Sequence, residues 1–170
     1  ALVFGRMGWL VAYLDLVEHL RSGQTRHDFP LGDEEKRCRH AIELAKQGKQ
    51  VALVCSGDPA IFAMAALVYE LIDREPCRIA VEVHPGISAF QMGSARAGAL
   101  IGHDFCCISL SDLLTPWETI VQRVTAAAEG DFVISFYNPR SLKHTDQIVK
   151  AFGILRPHRK PDTPVVLASN

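Results

Sequence analysis

The stretch VALVCSGDPAIF, residues 51–62, predicts how this chain folds. It begins with a short run rich in Val and Leu, which is typical of a strand buried in a parallel sheet. Gly57 interrupts the run, and Pro59 suits the first position of a helix because its missing N–H is not needed there. Asp58 is then the expected N-cap of a buried helix over residues 60–71. The predicted unit is therefore a strand, a glycine turn and a helix.

The glycine turn has two interpretations. Ligands of open α/β sheets bind at the carboxyl ends of strands in such turns, and Gly57 would let a ligand approach the backbone closely. The carboxylate of Asp58 could then meet an amine or a hydroxyl group of the ligand. Alternatively, Asp58 only caps its own helix, which is a common use of aspartate. The turn by itself leaves both interpretations open.

A second strand–turn–helix unit follows at HPGISA, residues 84–89. It again joins an apolar run to a helix through a glycine and a small hydroxyl residue. Two such units predict one shared ligand crevice. The alternative is that Gly86 merely completes a turn after Pro85.

Composition excludes several classes of protein. The chain has 170 residues, of which 48% are hydrophobic and 22% charged, as in ordinary globular proteins. A net charge of −1 implies no general surface for nucleic acid, and no apolar run is long enough to predict a membrane span. The five cysteines are odd in number and lack metal-ligand spacing, so we expect free thiols, no metal and a cytoplasmic location. Strand-like sequence at both ends suggests a piece of a longer protein.

Apolar segments of strand and helix type alternate along the chain, which predicts an α/β fold. A boundary near residues 102–104 divides it into expected domains 1–103 and 104–170. Thr115, Pro116 and Glu118 predict a capping box at the start of a helix. Residues 21–31 are expected to form a polar loop. The expected strands are 2–4, 51–55, 78–83, 105–110, 131–136 and a last one from 164, and the expected helices are 9–20, 34–47, 60–71, 87–97, 116–128 and 142–155.

The helix predicted after Asp33 carries an apolar stripe of Cys38, Ala41, Ile42 and Ala45. Its other face includes Lys36, Arg37 and Arg39. Such charges most simply form a solvated face. The alternative is that one arginine reaches an anionic substrate.

Three short motifs in a fixed order resemble those of the tetrapyrrole (corrin/porphyrin) methylases: SGDP at 56–59, PGISA at 85–89 and FYNP at 136–139. Three more resemble the branch that methylates C17 of precorrin-3B: HDF at 103–105, LSDLLTPW at 110–117 and YNPRS at 137–141. The resemblance covers essentially the whole chain. A lone GDP or PG would be a weak signal, whereas the ordered set is specific.

The resemblance implies a fold of two α/β domains with S-adenosylmethionine in the cleft between them. It also implies a homodimer and a reaction of cobalamin biosynthesis, in which C17 of precorrin-3B or cobalt-precorrin-3 is methylated and the macrocycle contracts. The cofactor contacts that it implies are Ser56, Gly57, Asp58, Ile61, Ser88, Ala89 and Asn138.

Ring contraction needs proton movement near the macrocycle, and His103 is the first candidate acid or base because histidine titrates near neutrality. Asp104 could orient His103 or act itself. The expected substrate contacts are Asp112, Thr115 and Arg140, since arginine binds carboxylates through two parallel hydrogen bonds. Alternatively, His103 only bonds a backbone carbonyl, and Asp112 and Thr115 only cap the helix at Pro116.

The chain departs from the family pattern at its start, where the expected Gly-Pro-Gly loop has no counterpart, so we expect the piece as given to be a poor enzyme. One rival interpretation is a related methylase that acts on another carbon, on a diphthamide precursor or on RNA. The near-neutral charge counts against RNA. A rival from another class is a non-catalytic nucleotide-binding module, although the chain has neither a Gly-x-Gly-x-x-Gly nor a Walker loop.

Overall fold

The computed structural model describes the backbone of residues 9–13 and all atoms of residues 22–139 and 145–168. The chain divides into two compact units, Ala1–Ser88 and Ala89–Asn170. This division falls fifteen residues before the predicted boundary between 103 and 104, because the helix after Ser88 groups with the second unit. The boundary of the family's two domains stays a prediction. The strand expected at 2–4 lies outside the described residues.

The first unit contains a three-stranded parallel sheet in the order β2-β1-β3. Its elements in chain order are β1 Trp9–Tyr13, β2 Thr25–Phe29, α1 Glu34–Lys46, β3 Val51–Leu53 and α2 Met64–Arg74. The predicted helix over 9–20 is wrong for residues 9–13, which form the central strand. A short continuous apolar run fits a helix or a central strand equally well by pattern, and pairing with two neighbours favours the strand.

The polar loop predicted for residues 21–31 is also corrected, since Thr25–Phe29 is the edge strand β2. An edge strand has a neighbour on one side only and therefore tolerates charged side chains. The residues of β2 are accordingly exposed or half-buried, and none of them is fully buried. Its polar composition is typical of a loop, so the sequence pattern did not predict this strand.

Helix α1 buries most of its predicted stripe, with Cys38 and Ile42 in one core cluster with α2. Arg37 corrects the prediction of a solvated charged face, because it is only 1% exposed. Its Nη2 donates to the carbonyl oxygen of Pro30 at 3.0 Å, and its Nη1 lies 3.7 Å from Met64 Sδ. Lys36 and Arg39 do lie toward solvent in surface ion pairs. Arg37 therefore acts as a structural link between α1, its preceding loop and α2.

Helix α2 begins at Met64, four residues later than predicted. Phe62 has a left-handed φ of +49°, which interrupts helical geometry after Pro59. Asp58 is therefore not the N-cap; that position belongs to Ala63. The helix is also amphipathic rather than buried all round, since Val68 is buried whereas Tyr69 is exposed.

Residues 78–83 were expected to form a strand, but the structure assigns none there within the described residues. Their burial nevertheless alternates, and Cys77, Ile79 and Val81 pack against the core formed by α1 and α2. The expected strand is therefore wrong, because burial alternation does not by itself provide a neighbouring strand for pairing.

The second unit contains two parallel strands covered by helices. Its elements are α3 Ala89–Ala97, β4 Phe105–Ser109, α4 Trp117–Glu129, β5 Val133–Tyr137, α5 Gln147–Leu155 and a 3₁₀ turn Arg156–His158. Phe105 pairs with Val133 and Ser109 with Tyr137, so both strands end at the same edge. The core contains Ile108, Leu110, Ile120, Val124, Ala127 and Ala151.

Three predictions for this unit need correction. The capping box is absent, because Pro116 occupies the N-cap position of α4 and no side chain caps it. Helix α5 begins at Gln147, since residues 145 and 146 are not helical. Residues 164–168 form no strand, although their sequence is strand-like, because a strand requires a hydrogen-bonded neighbour. Among the described residues, every helix is too short or too polar to cross a membrane.

Candidate functional site

Two turns of the first unit lie against each other, and we call residues 56–60 and 84–88 together the double turn. Gly57 has a left-handed φ of +72°, which glycine adopts without strain. A Cβ atom at Gly86 would overlap the carbonyl oxygen of Gly57. The two backbones are therefore packed so closely that Gly86 has no room for a side chain. Both glycines of the sequence motifs serve this close approach.

The carboxylate of Asp58 joins the two turns through both of its oxygens. Oδ1 accepts the backbone N–H of Ala60 at 2.8 Å, which closes a local turn. Oδ2 accepts the backbone N–H of Gly86 at 3.2 Å, 28 residues further along the chain. The N–H of Asp58 donates to Ser88 Oγ at 3.2 Å. Asp58 thus bonds both turns, a role that neither sequence interpretation included.

The other predicted cofactor contacts of this unit differ in exposure. Ser56 and Gly57 are exposed and Ile61 is half-buried, whereas Ser88 is only 3% exposed. An exposed glycine backbone and a half-buried isoleucine are the kinds of groups that a flat, partly apolar ligand contacts. These residue types are compatible with the adenosyl cofactor that the sequence motifs imply.

The carboxyl end of β4 and β5 holds the last predicted cofactor contact, Asn138. Its φ is +49°, a left-handed conformation that asparagine tolerates better than most residues. Its Nδ2 donates to Ser109 Oγ at 3.1 Å, and the same oxygen accepts the N–H of Ser111 at 3.3 Å. Sequence reasoning missed Ser109. A hydroxyl residue closing a strand, two residues before another serine, was the available signal.

His103 and Asp104 lie at the opposite end of the same strands. Both are exposed and precede β4, and the carbonyl oxygen of Asp104 accepts the N–H of Val133 at the start of β5. Five strand residues separate this end from the end that carries Asn138, a distance of roughly 16 Å. The structure therefore brings Asn138 together with Ser109, and it does not bring His103 or Asp104 to them.

The comparisons with known proteins concern the chain as a whole. A model of the tetrapyrrole (corrin/porphyrin) methylases matches residues 2–170. This chain belongs to that family. The resemblance inferred from the ordered motifs is thereby confirmed, and with it the α/β class of the fold.

Three known methylases illustrate the similarity. The chain is 43% identical over 162 residues to a cobalt-factor III methyltransferase of Priestia megaterium, an alignment that covers 93% of this chain and 30% of that protein. It is 43% identical over 157 residues to a precorrin-3B C(17)-methyltransferase of a Sinorhizobium species, covering 91% and 61% respectively. The crystal structure of the methyltransferase CobJ superposes with a TM-score of 0.89 at 36% identity, covering 99% of this chain and 76% of that one.

The remaining predicted contacts follow β4 and β5. Asp112 and Thr115 are half-buried in the loop after β4, on either side of the fully exposed Leu114. Arg140 lies outside the described residues. The loop after β4 therefore carries polar and apolar groups at the same edge as Asn138.

The five cysteines of the chain are free thiols. Burial raises the pKa of the Cys38 thiol to about 11 and also raises the pKa of Cys55, which precedes the double turn. Burial likewise raises the pKa of Cys106 and of Cys107 in β4. These thiols are therefore protonated at neutral pH and poorly nucleophilic. In the described parts of the chain, no three metal-binding side chains cluster.

Proposed function

We propose that this chain forms part of an S-adenosylmethionine-dependent methyltransferase of cobalamin biosynthesis that acts on C17 of precorrin-3B or cobalt-precorrin-3. The observation that carries the proposal is the 43% identity over 157 residues to a precorrin-3B C(17)-methyltransferase. The motifs LSDLLTPW and YNPRS favour this branch over other methylases. The chain spans 30% and 61% of the two relatives described above, so the activity is proposed for the whole protein.

The cofactor is proposed to bind the double turn. Ser56, Gly57 and Asp58 form its first half and Ser88 ends its second half, with Ala89 next along the chain. Ile61 would provide an apolar wall. The resemblance assigns Asn138 of the second unit to the same cofactor.

When bound, S-adenosylmethionine supplies an activated methyl group on a sulfonium that is already a good leaving group. The protein's task is then to align the nucleophilic carbon with the methyl group and to exclude water. The close packing at Gly86 suits this task, because a rigid turn holds a bound group in one position.

The substrate is proposed to be a tetrapyrrole, whose flat ring carries several carboxylates. Arg140 and Asp112 would contact its polar rim, and Thr115 lies in the same loop as Asp112. We propose His103 as the acid or base of ring contraction, oriented by Asp104. Both residues lie at the opposite strand end from Asn138.

Two further properties of the whole protein are proposed from the family and from the free thiols. It would act as a homodimer in the cytoplasm, where cysteines stay reduced. No nucleic acid and no membrane would take part.

A labelled cofactor tests the proposed activity directly. The full-length protein is incubated with precorrin-3B or cobalt-precorrin-3 and with S-adenosylmethionine that carries a ¹³C-methyl group. The product is analysed by mass spectrometry and NMR. We expect one labelled methyl group on C17. A label on another ring carbon would indicate a related methylase, and cofactor binding without transfer would favour a nucleotide-binding module.

A further inference from the structure

The carboxylate of Asp58 is half-buried and is bonded within the protein at both of its oxygens. One oxygen accepts the backbone N–H of Ala60 at 2.8 Å and the other that of Gly86 at 3.2 Å. The charge of the carboxylate strengthens both bonds. These bonds fix the position of the side chain relative to both turns.

The same residue also bonds through its backbone. The N–H of Asp58 donates to Ser88 Oγ at 3.2 Å, and Ser88 is almost completely buried. Asp58 and residues 86–88 are thus connected by two hydrogen bonds that run in opposite directions. The close contact between Gly57 and Gly86 lies directly beside them.

We infer that Asp58 is a positioning residue, which holds the two halves of the double turn together, rather than a group that contacts the cofactor. Asp58 would fix the positions of other groups in the double turn, and those groups would recognise the ligand. The exposed backbone at Ser56 and Gly57 is the main one. The inference rests on the proposed function, because it concerns the same cofactor.

The first experiment tests, without any ligand, whether Asp58 holds the two turns together. Amide hydrogen exchange is followed in the full-length protein and in its Asp58→Asn variant. Asparagine keeps the size of the side chain but replaces one acceptor by a donor, so one turn amide loses its bond. We expect exchange at Gly86 or at Ala60, whichever amide loses its acceptor, to be at least about tenfold faster in the variant, the factor for one lost charge-assisted bond. Asp73→Asn, an exposed position on α2, is the matched control. Unchanged exchange at both amides would overturn the inference.

The second experiment separates positioning from direct contact. Calorimetry measures the affinity of the wild-type and Asp58→Asn proteins for S-adenosylhomocysteine, for 5′-methylthioadenosine, which lacks the amino-acid group, and for 2′-deoxy and 3′-deoxy forms of the latter. If Asp58 only positions the turns, the affinity should fall by the same factor, about tenfold, for every analogue. A direct contact predicts that the loss disappears for the analogue that lacks the contacted group, and that result would overturn the inference.

Turnover provides a readout that a general loss of stability would not produce. In the Asp58→Asn variant, the KM for S-adenosylmethionine should rise about tenfold while the KM for the tetrapyrrole stays at its wild-type value. An equal rise of both would contradict the inference. If the wild-type protein bound none of the analogues, the proposed function would fail. The hydrogen-exchange experiment would still decide whether Asp58 holds the two turns together.

Discussion

The double turn of the first unit and the carboxyl end of β4 and β5 in the second use the same hydrogen bond for different purposes. In each, a serine hydroxyl accepts a backbone N–H: Ser88 from Asp58 and Ser109 from Ser111. Ser88 bridges 30 residues in a buried position, whereas Ser109 bonds its own turn and the exposed side chain of Asn138. The first site is therefore held by backbone packing, and the second presents an adjustable side chain.

This difference predicts where substitutions will be most damaging. Changes in the double turn should disturb a rigid backbone arrangement and affect stability and binding together. Changes at the end of β4 and β5 should affect binding or catalysis with less effect on stability.

The largest effect is expected from Gly86→Ala. The added methyl group would overlap the Gly57 carbonyl oxygen, and backbone cannot move aside as a flexible side chain can. We expect a loss of about 1–3 kcal/mol in the free energy of unfolding, measured by urea denaturation, and roughly a 100-fold loss of cofactor affinity. Gly153→Ala is the control, because among the described residues no atom beyond its chain neighbours and its own helix backbone lies within 4 Å of its Cβ position in α5. Normal cofactor binding by Gly86→Ala would contradict the rigid description of the double turn.

His103→Ala tests the two ends of the β4–β5 pair against each other. If His103 is the acid or base, the variant should form product about 100-fold more slowly or worse while it binds cofactor normally. Single-turnover kinetics measures the first quantity and calorimetry the second. Wild-type turnover would remove His103 from the mechanism and restrict the chemistry to the end that carries Asn138.

Asn138 should show a smaller effect that separates its side chain from its backbone. Glycine in Asn138→Gly adopts the left-handed φ of +49° easily but lacks the side-chain amide. Alanine in Asn138→Ala lacks the amide and is also strained at this φ. We expect both variants to raise the KM for S-adenosylmethionine by about tenfold, as for one lost hydrogen bond in a binding site. A defect in the alanine variant alone would assign the role to backbone conformation.

The smallest effect concerns acid stability of the first unit. His27 Nδ1 and His40 Nε2 lie 3.0 Å apart, and burial, with His27 as a secondary cause, lowers the pKa of His40 below its ordinary 6.5. The folded state therefore resists a proton that the unfolded chain accepts. Stability should be complete above pH 6.5 and decrease as the pH falls below it. Urea denaturation between pH 8 and 5 measures this slope, which His40→Phe should flatten; the same slope in the variant would refute the assignment.

The sequence predicted the elements whose pattern is long and strongly periodic. Helix α1, helix α4 and the strands β3, β4 and β5 lie close to their expected positions, because a long amphipathic repeat is specific for a helix and turn residues bounded the short apolar runs. It failed at β1 and β2, where a short apolar run and a polar edge segment become strands only because they pair with each other.

Individual residues show the same limit. Arg37 was expected in solvent but is buried, since helical periodicity cannot show that Pro30 and Met64 would meet its guanidinium. Asp58 and Gly86 were recognised as important without their bond being foreseen. Ser109 carried only the weak signal of a hydroxyl residue at the end of a strand, two residues before another serine.

The sequence by itself determined the α/β class, the family and the identity of the residues in the proposed site, because motif chemistry and hydrophobic periodicity are local properties of the chain. Only the tertiary structure decided that Asp58 bonds Gly86, that Arg37 is buried and that His103 and Asn138 lie at opposite strand ends. Such relations depend on which segments meet across tens of residues, and hydrogen-bond pairing and packing choose those partners.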